Sequence, residues 1–118
     1  MNNNRTSKQL ESAIVKQIMD MLKRKGYPAW KINGNGYQRK GLPDIITIGR
    51  NGRFIGLEVK RPKPSGYCAT ALQVATIRQI NAGGGFACVV RSVGAANAAL
   101  WMAEDGEEPP ALEVDEDD

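Results

Sequence analysis

A chain of 118 residues, 42% apolar and 25% charged, has the make-up of one globular domain, long enough for a single core but not for two. It contains no histidine, which excludes a histidine general base, a Ser-His triad and any His-ligated zinc. The net charge of +3 conceals a division: all sixteen Lys and Arg precede residue 104 and share that body with four acids, a balance of +12, whereas residues 104–118 hold nine acids and no base.

A body so basic suggests a polyanionic partner, most simply nucleic acid. Its four acids are Glu11, Asp20, Asp44 and Glu58, few enough that each invites a reason. Cys68 and Cys88 form neither a metal-ligand cluster nor a disulfide framework. The MNNNRTSK opening lacks the apolar core of a signal peptide, and no apolar run approaches membrane-spanning length. A reducing, cytoplasmic setting without a membrane is the expectation.

The first element is a helix over residues 7–25. Thr6-Ser7-Lys8-Gln9 has the capping-box pattern, and Lys23-Arg24-Lys25 before Gly26 suits the negative end and the stop. At about 100° per residue, Leu10, Ile14, Val15, Ile18, Met19, Met21 and Leu22 cover one face, with Glu11 near the middle of that arc. A carboxylate there is costly unless something pairs with it; a metal is one partner, and solvent or a lysine at the helix end another. Asp20 falls on the charged face and reads as a solvated surface group.

Residues 27–32 read as a first strand, with Pro28 near its start. Residues 33–41 form a Gly-rich polar loop in which Arg39 and Lys40 could meet phosphates. Tyr37 or Trp30 could stack on an unpaired base, though core or rim positions are commoner for either. Two apolar runs follow, residues 45–48 and 54–57, on either side of a Gly/Asn turn, and they read as a β-hairpin. Asp44 begins the first run; Glu58, Val59 and Lys60 close the second.

The register of that hairpin decides what it can do. A two-residue Asn51-Gly52 turn is the strongest local signal, but it would place Asp44 opposite Val59 and the carboxylates on opposite faces. A three-residue Arg50-Asn51-Gly52 loop, with Gly52 left-handed, pairs Gly49 with Arg53 and sets Asp44 against Glu58, with Lys60 on the same face. The juxtaposed charges make sense only in the second register, and that is the one expected.

Beyond the hairpin, Arg61-Pro62-Lys63-Pro64 opens a loop in which Arg61 and Lys63 are further candidate phosphate contacts. A second helix over residues 70–82 starts on Thr70-Ala71-Leu72-Gln73, so Gln73 is either a capping residue or a site residue. Residues 86–90 fit a buried strand, and Ser92 can cap a last helix over residues 93–103. Acids and Pro109-Pro110 argue for a disordered tail over residues 104–118, after a domain of residues 1–103. The order α-β-β-β-α-β-α implies an α/β fold, a mixed sheet flanked by helices.

Asp44 and Glu58 offer hard oxygen ligands that suit Mg²⁺ or Mn²⁺, to which the Val59 carbonyl could add, and Glu11 directly or through water. Lys60 is placed to orient a water and to stabilise phosphate charge. The set Gly41-Leu42-Pro43-Asp44, Glu58-Val59-Lys60, Glu11 and Gln73 resembles the VRR-NUC domain of the PD-(D/E)XK nuclease superfamily, over about residues 7–92. The resemblance implies a restriction-endonuclease-like core and a stand-alone bacterial or phage enzyme similar to Holliday-junction resolvases. By it, Glu11, Asp44 and Glu58 bind metal, Lys60 is the catalytic lysine and Gln73 a supporting residue; the substrate is DNA, branched, and the protein a homodimer. The acidic tail is not part of that pattern. A DNA-binding accessory module with an inactive or partner-completed site is the competing expectation.

Overall fold

Thr6 starts the first helix as expected from its sequence: its side chain accepts from the Gln9 N–H, and Gln9 Oε1 accepts from the Thr6 N–H. Helix α1 (Ser7–Arg24) then runs to Lys25 and the left-handed Gly26, where Tyr27 N–H bonds back to the Leu22 carbonyl. The computed structural model describes residues 6–32, 40–62 and 68–112. After α1 come β1 (Ala29–Lys31), β2 (Ile45–Ile48), β3 (Phe54–Val59), α2 (Ala71–Ala82), β4 (Phe86–Val90) and α3 (Val93–Glu104). This is the expected α-β-β-β-α-β-α order. Strand β1 is shorter than the six residues foreseen, because the chain leaves α1 through Tyr27 and Pro28 before pairing begins.

The four strands lie in the order β1-β2-β3-β4, antiparallel across the first two pairs and parallel between β3 and β4. A parallel pair needs a long crossover, and α2 supplies it. The hairpin uses the three-residue loop. Ile45 pairs with Leu57 and Ile48 with Phe54; Gly49 N–H bonds to the Arg53 carbonyl at 2.8 Å, and Gly52 is left-handed at φ +85°. Carried one residue beyond Ile45 and Leu57, the same register sets Asp44 opposite Glu58.

Alternation divides the sheet into two faces. Ile45, Ile55, Leu57, Val59, Phe86, Cys88 and Val90 join Ile18, Leu22 and Leu100 in one core beneath α1 and α3. Ala96, Ala99 and Ala103 are small enough to bring α3 close to it. Each large apolar side chain fully buried here contributes about 1.5–3 kcal/mol. On the other face α2 packs against β4, burying Val74 and Ile77. That face carries the even-numbered residues of β2 and β3, including Glu58.

Helix α3 ends at Glu104, one residue past expectation, and Glu104 belongs to the body rather than to a tail. Its carboxylate accepts from the Tyr27 hydroxyl at 2.9 Å and from the Arg50 N–H at 2.7 Å. The described chain continues to Leu112, where Pro110, Ala111 and Leu112 line a cavity of about 180 Å³ with Cys68, Cys88 and Arg91. At the hairpin end, Arg53 donates to the carbonyls of Gly84, Gly85, Ala103 and Glu107 and stacks on the Phe86 ring. No helix of the described residues is long and apolar enough to cross a membrane.

Candidate metal and phosphodiester site

The site lies at the open end of the hairpin and begins with a missing donor. The Gly49 N–H bonds to the Arg53 carbonyl, so by the period of two the hydrogen-bonded pairs are 47 with 55, 45 with 57 and 43 with 59. Position 43 is Pro43, which has no N–H to give the Val59 carbonyl. The Val59 N–H in turn donates to Asp44 Oδ2 at 2.7 Å. A strand end that would have closed on backbone instead closes on a carboxylate, beside a carbonyl that its ladder neighbour cannot satisfy.

Glycine makes room for this arrangement. A Cβ at Gly56 would sit 2.8 Å from Pro43 Cγ and 3.3 Å from its Cβ. Gly41, left-handed at φ +90°, approaches α2 so closely that a Cβ would meet Leu72 Cγ at 2.7 Å. The Gly41–Asp44 segment is thereby seated between α2 and the middle of the sheet.

Glu58 is 2% exposed, and its Oε1 has no hydrogen-bond partner among the described residues. Its Oε2 lies 3.4 Å from Lys60 Nζ. Burial, and then the nearby Asp44 charge, push the Glu58 carboxyl up to about 8, against the opposing pull of Lys60. A buried, unsatisfied oxygen in a doubly acidic corner is costly without a cation. The donor set of Asp44, Glu58 and the Val59 carbonyl is all oxygen, which fits Mg²⁺ or Mn²⁺.

The remaining expected residues are placed unequally. Lys60 is buried beside Glu58, its N–H on the Val90 carbonyl at 3.1 Å. Glu11 reaches this end of the sheet, where its Oε2 accepts from the Arg61 N–H at 3.3 Å. It is not gathered with Asp44 and Glu58, since the described residues hold no group of three such ligands. Gln73 caps α2: its Oε1 accepts from the Thr70 N–H at 2.8 Å, and its N–H donates to the Thr70 hydroxyl. Lys40 is exposed, and Arg61, next to Lys60 in the chain, is half-buried; Arg39, Lys63 and Tyr37 lie outside the described residues. Asp20 pairs with Lys16 on the surface of α1. Burial pushes the Cys88 thiol up to about 12, so it contributes no thiolate.

Sequence reasoning named Pro43 only within the Gly41–Asp44 motif and missed how it builds the site; it also missed Gly56, and Arg91, whose Nη1 donates to the Arg61 carbonyl at 2.7 Å and fixes the exit of β3. A proline two residues before a strand that needs a ladder partner was the available signal.

No family model and no curated protein matches this sequence. A solved structure described as a VRR_NUC domain protein is similar, with a TM-score of 0.66 and 17% identity, covering 89% of this chain and 96% of that one. At that identity the likeness establishes the fold. The mixed four-stranded sheet with flanking helices is the fold this chain shares with that VRR_NUC domain protein.

Proposed function

We propose that this protein is a Mg²⁺- or Mn²⁺-dependent endonuclease that hydrolyses phosphodiester bonds in branched DNA such as Holliday junctions. The observation that supports this most is Glu58: a fully buried carboxylate with an unpartnered oxygen, facing Asp44 across the hairpin and Lys60 along the strand. The VRR_NUC-like fold and the +12 body point the same way.

Asp44, Glu58 and the Val59 carbonyl would hold the cation. Once bound, it would neutralise charge at the phosphate and make a water more acidic. The Lys60 ammonium, excluded from solvent, donates hydrogen bonds to a non-bridging phosphate oxygen as charge builds there, and orients the attacking water. Arg61 and Lys40 at the mouth meet flanking phosphates, together with Arg39 and Lys63. One domain offers one site, so paired cuts in a four-way junction call for a two-fold symmetric homodimer.

One observation favours a second reading, a DNA-binding accessory module whose site is inactive or completed by a partner. Glu11 does not join the two carboxylates among the described residues. Labelled junction, flap and linear duplex DNA, with and without Mg²⁺ or Mn²⁺, separate the two. Cation-dependent cleavage of the branched substrates is expected, abolished in Lys60→Ala and Asp44→Ala with binding retained. Cleavage of nothing, or cleavage indifferent to both substitutions, refutes the nuclease reading; metal-independent binding by an inactive protein establishes the accessory one.

A further inference from the structure

We infer that Trp30 is a stacking platform for an unpaired nucleobase, placed beside the carboxylates so that the nucleotide next to the scissile phosphate is selected for being unstacked. The inference rests on the nuclease reading above and adds a residue that sets substrate structure.

The placement follows from the register. Ala29 packs against the core beneath α1, so its neighbour Trp30 takes the opposite face of the edge strand. That is the face of Asp44 and Glu58. Trp30 pairs with Ile46, and Ile46 with Gly56, which neighbours Ala87. The adjoining row on the same face continues the same registers through Ile32, Asp44 and Glu58, with the Ile32 N–H on the Asp44 carbonyl at 2.8 Å. Trp30 and Asp44 are therefore diagonal neighbours, about 7–8 Å apart. That span is comparable with one nucleotide of an extended strand.

The surroundings leave the indole usable. Helix α2 covers this face at β4, on the far side of β2 and β3 from β1, and Trp30 keeps 53% of its surface exposed. Beyond the half-buried Ile46 the row is closed, with Gly56 under Pro43 and Ala87 held by Asn81 of α2, so the open part of this face is its β1 edge, where Trp30 stands. Lys40, exposed and four residues before Asp44 in the chain, is the cation we assign to the backbone of a strand whose base rests on the indole.

The chemistry then discriminates by structure. Every base has a π-face, so stacking on tryptophan is indifferent to sequence. A base inside a duplex is already stacked on both sides and must be pulled out, whereas one at a junction, flap or gap is free to engage. Trp30 would therefore report whether the nucleotide beside the cut is paired.

The test uses full-length protein carrying Trp101→Phe and Lys60→Ala, which leaves Trp30 as the only tryptophan and prevents cleavage. Short single-stranded DNA and a junction with unpaired nucleotides should quench Trp30 fluorescence on binding, and blunt duplex should not. In the otherwise wild-type chain, Trp30→Ala should weaken binding of the unpaired substrates by about ten-fold relative to duplex, with Trp30→Phe close to wild type. Equal quenching by duplex, or an equal loss on both substrates, overturns the inference. If that protein binds and quenches selectively while the chain with Lys60 intact never cuts, the nuclease reading fails and the stacking stands. If it cuts branched DNA and Trp30→Ala leaves the preference unchanged, the reverse holds.

Discussion

Replacing Glu58 by Gln should make the protein more stable, and by an amount that depends on pH. The Glu58 carboxyl stands at about 8 where 4.5 is ordinary, chiefly because burial penalises its charged form. At 1.36 kcal/mol per unit, the full displacement corresponds to about 5 kcal/mol of folding free energy. The sign follows from proton counts. Between pH 4.5 and 8 the folded chain keeps a proton that the unfolded chain has released, so stability falls as pH rises through that window and levels off above it. At pH 7 the penalty is about 3 kcal/mol. Urea unfolding of wild type and Glu58→Gln at pH 4, 6, 7 and 8.5 should give similar stabilities at the acid end. The advantage of the amide variant should then widen as pH rises. The same proton couples to cation binding: Mn²⁺ should release more proton per site at pH 7 than at pH 9, read by calorimetry in buffers of different ionisation enthalpy. A difference between the two proteins that stays flat with pH, or cation binding without proton release at pH 7, refutes the reasoning.

Two further outcomes follow from the packing. Gly56→Ala drives a methyl into Pro43, with 2.8 Å to its Cγ, and should cost about 1–3 kcal/mol; because Pro43 precedes Asp44, Mn²⁺ affinity should fall as well, and a stability loss with unchanged affinity would show that Asp44 is positioned by something else. Deleting residues 113–118 removes five of the nine clustered acids from a chain whose Leu112 lines a cavity with Arg91, so duplex binding should tighten and its salt dependence steepen; an unchanged affinity in filter binding leaves those acids a solubilising role alone.

The hairpin shows how charge can settle what local preference leaves open. Turn statistics favour Asn51-Gly52, yet Asp44, Glu58 and Lys60 form a coherent set only in the longer loop, and the structure has that loop. The cap at Thr6 was legible because a capping box is a four-residue event; the same pattern at Thr70 left Gln73 open between a cap and a site role, and the structure shows it capping α2. The fate of Glu104 was not. A run of acids looks uniform along the chain, and the groups that single out Glu104 are Tyr27 and Arg50, 77 and 54 residues away. Glu11 was legible only in part: the helical wheel placed it on the inward arc, but a wheel carries no information on where along the sheet a helix end projects. Pro43 escaped because its contribution is an absence, a donor withheld from Val59, visible only once the register is known.

Arg53 gives the sheet an asymmetry with mechanical meaning. At the hairpin end of β3 one guanidinium is bonded to four carbonyls from the turn after α2 and from the close of α3. At the other end Asp44 takes the Val59 N–H, and Pro43 cannot donate to continue the ladder. Strand β3 is thus tied at both ends by different means: by one side chain at Arg53, and at the Glu58 end by the ladder to β4, where Val59 pairs with Val90, the Lys60 N–H bonds to the Val90 carbonyl and Arg91 holds the Arg61 carbonyl. Glu58 therefore sits on a fixed rail, and a cation or phosphate has to conform to its position rather than draw the strand to itself.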